Sequence, residues 1–252
     1  MNVDLSGKII IVTGAARGIG AAIAAEAAAG GAEGLVLTDR ERFEVELPCP
    51  AEIVVKDLLD TDAPKIIAQA ARARFGCIDG LVNAAGVTSR GDFLDATPLL
   101  WDQVMAINAR APFFLMAEAI TDMKARKAPG AIVNIQSINA HCGAPDLAIY
   151  SASKGALQTL TKNAANAHMA DHIRINAINL GWTATETERE LHEVTLGKGE
   201  GWLAAQGAMQ PLGRLINEDD TARLATFLLS EASEPMSGVS MDLSQWVTGA
   251  PK

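Results

Sequence analysis

Short, nearly unbroken runs of apolar and β-branched residues alternate with longer Ala-rich stretches along this chain. Lys8–Thr13 (KIIIVT) predicts a buried strand, and Gly18–Ala29 a helix. Leu35–Thr38 and Ile53–Val55 predict two further short strands. A helix over about Asp62–Phe75 leads into a strand at Ile78–Asn83, and a long helix covers about Leu99–Arg126. Ala131–Gln136 predicts a strand, Ile149–Met169 a helix and Ile173–Asn179 a strand. Another helix starts near Glu218, and a last strand lies near Val239–Leu243. Strands that are apolar at successive positions, and that alternate with helices, belong to a parallel sheet covered on both faces. The expected fold is therefore α/β: one domain over residues 1–252, with a doubly wound parallel sheet of about seven strands and helices on both faces. Ligands of such sheets bind at the carboxyl ends of the strands.

Two stretches break the alternation. Asp39–Asp57 is short and holds Pro48 and Pro50, which argue against a full helix there. Leu180–Asn217 is a long connection, and long connections in compact domains serve as lids or binding loops. A lid is expected over about 181–217, with the glycines of Gly197–Gly201 suited to a hinge.

Composition narrows the picture. Of 252 residues, 49% are hydrophobic and 20% charged, which is enough apolar material for a large core and excludes global disorder. The 21 basic residues against 30 acidic ones give a net charge of −9, so no basic footprint is available for nucleic acid or an anionic membrane surface. Cys49, Cys77 and Cys142 form no CxxC or Cys/His cluster, so neither a disulfide framework nor a metal site is expected. The N-terminal residues show no signal-peptide pattern, and a cytoplasmic, reduced protein is expected.

After the first strand comes Thr13-Gly14-Ala15-Ala16-Arg17-Gly18-Ile19-Gly20. Glycines permit a tight turn and close backbone approach to phosphates, and the helix that follows offers free N–H groups to a pyrophosphate. The spacing is GxxxGxG, neither GxGxxG nor a P-loop; the plain alternative is a packing turn. Asp39 ends the second strand. A carboxylate there accepts a bond from a ribose 2′-OH and repels a 2′-phosphate, which favours NAD over NADP. Arg17 and Arg40 argue the other way.

Tyr150, the only tyrosine, opens Tyr150-Ser151-Ala152-Ser153-Lys154. Tyr and Lys four apart share a helix face, and a nearby ammonium favours phenolate and lowers the tyrosine pKa. Gly14–Gly20, Asn83-Ala84-Ala85-Gly86, Ser137 and Tyr150-x-x-x-Lys154 occur in that order, with Ser137 thirteen residues before Tyr150. Over about Gly7–Leu243 the chain resembles the short-chain dehydrogenase/reductase family, whose members are Rossmann-like, single-domain, NAD(P)-dependent oxidoreductases.

The resemblance implies roles. Tyr150 is the catalytic acid/base, Lys154 binds the nicotinamide ribose and tunes the tyrosine, Ser137 bonds the substrate oxygen, and Asn108 helps hold a proton-relay water. Cofactor binding is implied for Gly14, Arg17, Gly18, Ile19, Gly20, Asp39, Asp57, Leu58, Asn83, Ala84, Gly86, Gly181 and Thr183, together with Tyr150 and Lys154. Thr185 is an alternative to Thr183 for the carboxamide, and Asp57 has helix capping as its plain alternative. Two departures stand out: Val82 replaces the first Asn of the NNAG-type motif, and Leu180 replaces the family's proline.

On the substrate side, Asn139, His141 and Trp182 join Ser137, with Trp202, Gln206, Gln245 and Trp246 nearby in the lid and C-terminal stretch. Polar groups beside tryptophan faces suit a sugar or polyol; the plain alternatives are packing for Trp202 and an ordinary surface position for His141. The expected activity is NAD-dependent transfer of hydride between nicotinamide and a secondary alcohol or ketone, in a homotetramer. An NADPH-linked 3-oxoacyl or other carbonyl reductase, and a non-catalytic nucleotide-binding protein, are the competing readings.

Overall fold

Buried β-branched residues at successive strand positions need apolar partners above and below. The computed structural model, which describes residues 3–247, provides them with one sheet between two helical layers. The strands are β1 (Ile9–Thr13), β2 (Gly34–Asp39), β3 (Ala51–Val55), β4 (Gly80–Asn83), β5 (Gly130–Ser137), β6 (Ile173–Leu180) and β7 (Ser240–Leu243). Their order is β3-β2-β1-β4-β5-β6-β7, and every pairing is parallel. The chain reverses its progress across the sheet between β1 and β4, which opens a crevice at their carboxyl ends. The helices are α1 (Gly18–Ala29), α2 (Ala63–Phe75), α3 (Pro98–Met105), α4 (Ala111–Arg126), α5 (Ala148–His168), α6 (Glu186–Arg189), α7 (Trp202–Ala208) and α8 (Glu218–Leu229).

The two-residue period of a strand divides the apolar residues between two cores. Ile10, Val12, Leu35, Leu37, Val133 and Ile178 meet α1 and α8 on one face. Ile11, Val36, Leu81, Ile132 and Ile175 meet α2, α4 and α5 on the other. α1 lines its side with Ala24, Ala27 and Ala28, small enough to lie close against α8.

Some boundaries differ from expectation. The helix expected over Leu99–Arg126 starts at Pro98 and widens into a π turn at Ala106–Arg110. Pro112 has no N–H to give the Asn108 carbonyl four residues back, so the regular ladder cannot continue through that turn. By length and composition Pro98–Arg126 is apolar enough to cross a membrane, yet 56% of its apolar window is buried in this fold. β6 runs one residue further than expected, through Leu180, which pairs with Ser137 on one side and Leu243 on the other. No helix forms between Asp39 and Ala51, as Pro48 and Pro50 predict. The connection over 181–217 is partly helical: α6, a π turn at Glu190–Thr195 and α7, with a bridge between Thr183 and Ile216.

Candidate active site

The glycine turn is first a packing solution. Gly14 has φ +67°, and a Cβ on it would lie 2.8 Å from the Ala85 Cα. A Cβ on Gly20 would lie 2.1 Å from the Gly14 carbonyl oxygen. Thr13 stitches the same junction: its buried Oγ1 accepts the Ala84 N–H at 3.1 Å and the Ala85 N–H at 3.0 Å. α1 then begins at Gly18 with no side-chain cap, leaving its first N–H groups open to an anion. Arg17 is exposed beside that terminus, and Ile19 packs on the core behind it. Asp39 accepts the Ala16 N–H at 3.2 Å and the Arg40 N–H at 2.8 Å, so its carboxylate is fixed at the end of β2 next to the glycine turn. The Arg40 side chain is exposed and paired with Glu41 at 3.4 Å.

Asp57 does not cap a helix. Its Oδ1 accepts the Leu59 N–H at 2.9 Å in a turn, and α2 begins later, after Asp62. Leu58 is buried in the core. Asn83 is buried at the end of β4, and its Nδ2 donates to Asn134 Oδ1 at 2.8 Å. Asn134 Nδ2 and Gln136 Nε2 both donate to Thr161 Oγ1, at 2.8 and 3.0 Å. This amide network escaped sequence reading. Its signal was there in Asn134 and Gln136, two polar residues inside a strand that is otherwise apolar and central.

Ser137, Tyr150, Lys154 and Asn108 come together where β5 ends and α5 starts. Asn108, in the π turn, accepts the Val87 N–H and donates to the Val87 carbonyl, both at 2.9 Å, and donates to Ser153 Oγ at 3.0 Å. Ser153 Oγ donates in turn to the Tyr150 carbonyl at 2.7 Å. Asn108 thus ties the turn after β4 to the start of α5. Ser137 Oγ accepts the Asn139 N–H at 3.2 Å. Lys154 Nζ lies 5.8 Å from the Tyr150 ring centre and donates to the Ile135 carbonyl at 3.0 Å.

Burial governs the ionisation of this group. It pushes the Tyr150 hydroxyl up to about 12; the Ser137 side chain pulls it down and the Glu188 charge pushes it further up. Burial also brings the Lys154 ammonium down to about 8. The expectation that Lys154 lowers the tyrosine pKa is therefore not met in the protein alone, because both groups are desolvated and the ammonium is engaged by Ile135.

The substrate-side residues fall into two groups. His141 Nε2 lies 3.2 Å from Asp242 Oδ1 and 3.4 Å from Asn179 Nδ2, at the ends of β6 and β7. Trp182 packs on Trp202 at 5.2 Å and on His192 at 5.8 Å, so Trp202 does serve ring packing. Gln245 and Trp246 do something not foreseen. Gln245 bonds the Leu212 N–H and the Arg214 carbonyl, and Trp246 Nε1 donates to Gln210 Oε1 at 2.9 Å, so together they staple the far end of the 181–217 connection. Gln206 contributes its carbonyl to Gln210. Thr183 Oγ1 donates to the Gly181 carbonyl at 3.1 Å, while Thr185 Oγ1 caps α6 through the Glu188 N–H at 3.1 Å. Gly181 leaves room for Ser244. Glu188 and His192 were missed, since neither belongs to a motif. Among the described residues, no cluster of three or more His, Cys, Asp or Glu could hold a metal ion.

Three features fit a bound dinucleotide: the uncapped start of α1, Gly86, and Lys154. A Cβ on Gly86 would meet Lys154 Nζ at 3.3 Å and Asn108 Oδ1 at 3.4 Å, so any larger residue would crowd both groups. The Lys154 ammonium has three protons and, among the described residues, one acceptor.

Comparison with known proteins agrees with this geometry. Residues 14–244 match a family model described as enoyl-(acyl carrier protein) reductase. The chain is 34% identical over 244 residues to gluconate 5-dehydrogenase of Gluconobacter oxydans, covering 93% of this chain and 92% of that protein. It is 32% identical over 253 residues to versicolorin reductase 1 of Aspergillus parasiticus, covering 94% and 95%. The crystal structure of L-sorbose reductase from Gluconobacter frateurii, complexed with NADPH and L-sorbose, superposes with a TM-score of 0.89 at 27% identity and full coverage of both chains. Over nearly its whole length the chain is thus similar in sequence and fold to dehydrogenases and reductases: it belongs to the short-chain dehydrogenase/reductase family of NAD(P)-dependent oxidoreductases.

Proposed function

We propose that the protein interconverts a secondary alcohol and a ketone of a sugar or polyol, with NAD as the preferred cofactor. The observation that carries the chemistry is the buried Tyr150 hydroxyl beside Ser137, one helical turn from Lys154. A bound nicotinamide supplies the hydride acceptor or donor. During reduction Tyr150 donates its hydroxyl proton to the substrate carbonyl oxygen; oxidation is the reverse and requires Tyr150 as the tyrosinate, which takes the substrate hydroxyl proton. Held well above neutral pH, its hydroxyl stays protonated near pH 7 and is ready to donate to a carbonyl. Ser137 orients the substrate oxygen. The Lys154 ammonium binds ribose hydroxyls, and Asn108 keeps the turn after β4 in register with α5. The first turn of α1 takes the pyrophosphate, with Asp57 and Leu58 lining the adenine side.

The substrate class rests on the tryptophan-walled lid and on similarity to gluconate 5-dehydrogenase and L-sorbose reductase. The preference for NAD rests on Asp39. A second reading, NADPH-linked reduction of an acyl or other carbonyl, is favoured by the acyl-carrier description of the matching family and by the NADPH held in the sorbose reductase structure. Absorbance at 340 nm with NAD⁺ and NADP⁺ over a panel of sugars, polyols and acyl substrates separates the two. Tyr150→Phe should abolish turnover and leave cofactor binding intact; near-normal turnover would refute the assignment. For assembly, Phe113 and Phe114, half exposed on α4, border a groove of about 550 Å³ that Ala156 and Leu160 of α5 complete. We propose that this face joins copies of the chain into a homotetramer, which sedimentation of wild type against Phe114→Glu would test.

A further inference from the structure

Proton transfer leaves one lid carboxylate without a role. Glu188 sits in the first turn of α6, its N–H capped by Thr185. Two ring donors converge on a single oxygen of its side chain: Trp182 Nε1 and His192 Nε2 each lie 3.3 Å from Oε2. His192 is buried and stacked on Trp202 at 3.9 Å with the planes 15° apart. Burial holds its imidazole below the ordinary pKa, so near neutral pH it acts as an uncharged donor. Its Nδ1 is buried with no partner among the described residues. The carboxylate is therefore braced on one side only; Oε1 bonds to no described residue.

Glu188 lies on the Ser137 side of the fold: Trp182, which bonds it, follows Leu180, the partner of Ser137 in the sheet, and the Glu188 charge raises the Tyr150 pKa. An acceptor held by two ring donors thus stands on the same side of the fold as Ser137 and Tyr150. Its geometry is set in advance by two aromatic donors. A substrate hydroxyl near the reacting carbon is a donor suited to such an acceptor, and an anionic group is not.

We infer that Glu188 is a specificity-determining residue: Oε1 accepts a hydrogen bond from a substrate hydroxyl neighbouring the reacting carbon, and its charge excludes substrates that carry a carboxylate there. The inference rests on the sugar or polyol reading and narrows it to sugars and polyols with no carboxylate beside the reacting carbon. Sites that hydrogen-bond a hydroxyl discriminate strongly against analogues lacking it.

The test compares kcat and KM for a neutral sugar or polyol, the corresponding sugar acid and the deoxy analogue. Glu188→Gln keeps the shape and removes the charge. It should raise KM for the neutral substrate about tenfold with little change in kcat, and raise the acid-to-neutral ratio of kcat/KM about tenfold or more. Glu188→Asp keeps the charge but withdraws it by one methylene; KM should rise while the acid stays excluded. NADH affinity should be unchanged in both. If Glu188 only braces the lid rings, both variants shift neutral and acid substrates by the same factor, and the inference falls. It also falls if the wild-type protein prefers the acid, or treats the deoxy analogue as it treats the parent. Turnover of apolar carbonyls alone would remove the sugar or polyol reading and this inference together. Turnover of polyols with an unmoved acid-to-neutral ratio would remove only this inference.

Discussion

Thr13 offers the sharpest test of how the cofactor side is assembled. Its Oγ1 is the acceptor for two backbone donors, Ala84 N–H at 3.1 Å and Ala85 N–H at 3.0 Å, in the turn that Gly14 packs against. Thr13→Val is nearly isosteric and leaves both donors without that partner. An orphaned buried donor costs about 1–3 kcal/mol. Ala84 and Ala85 are half buried, so the low end of that range, about 1–1.5 kcal/mol, applies to each, giving about 2–3 kcal/mol for the pair. At about 2–4 °C per kcal/mol for a domain of this size, Tm should fall by roughly 4–12 °C. Thr13→Ser is the control: it keeps the hydroxyl and loses one methyl, at about 0.8 kcal/mol. The same displaced turn carries Gly86 beside Lys154, so NADH binding should weaken about tenfold in the valine variant and little in the serine variant. Urea unfolding at fixed protein concentration and NADH fluorescence titration read both effects. Equal stability of the two variants would show that the methyl, not the hydroxyl, holds the junction.

Three further outcomes follow from the same structure. Asp39→Ser should move the NADP-to-NAD ratio of kcat/KM upward by about two orders of magnitude, because one charge about 5 Å from a phosphate is worth roughly 3 kcal/mol at an effective dielectric near 20; a change under about threefold would remove Asp39 as the selector. Lys154, brought down to about 8 by burial, should lose its proton in the free protein from that pH upward. NADH affinity should then be flat below about pH 7 and fall toward tenfold per pH unit above 8, and a flat profile from pH 7 to 10 would refute the role. The sign for stability is opposite: between about 8 and the ordinary 10.5 the unfolded chain binds more protons, so the cost of burying this lysine declines as pH rises. Arg174→Met should destabilise by about 3 kcal/mol in urea unfolding, since the buried guanidinium donates to the Leu228, Leu229 and Ser230 carbonyls at the end of α8; a loss below about 1 kcal/mol would mean water replaces it.

Much of the protein could be read in the order of its residues. Each strand and helix of a βαβ unit advertises itself locally, through apolar runs of four to eight residues, Ala-rich helical stretches and the glycines between them. A parallel sheet covered on both faces follows, because strands apolar at successive positions need apolar partners above and below. Ser137, Tyr150 and Lys154 were legible because strand end and helix start lie close in the chain. Even the π turn left a mark in Pro112, although its consequence for Asn108 needed the helix to be seen.

Tertiary structure decided what depends on distant segments. Tyr150 moves up rather than down because the fold buries it, and desolvation outweighs an ammonium that Ile135 already engages. His141 finds Asp242 a hundred and one residues later. Glu188 acquires meaning only when the lid folds Trp182, His192 and Trp202 into one cluster around it. Periodicity tells which side of a segment is buried; it carries no information on which polar groups arrive from elsewhere to share that burial, and at this site those arrivals set charge, acidity and specificity.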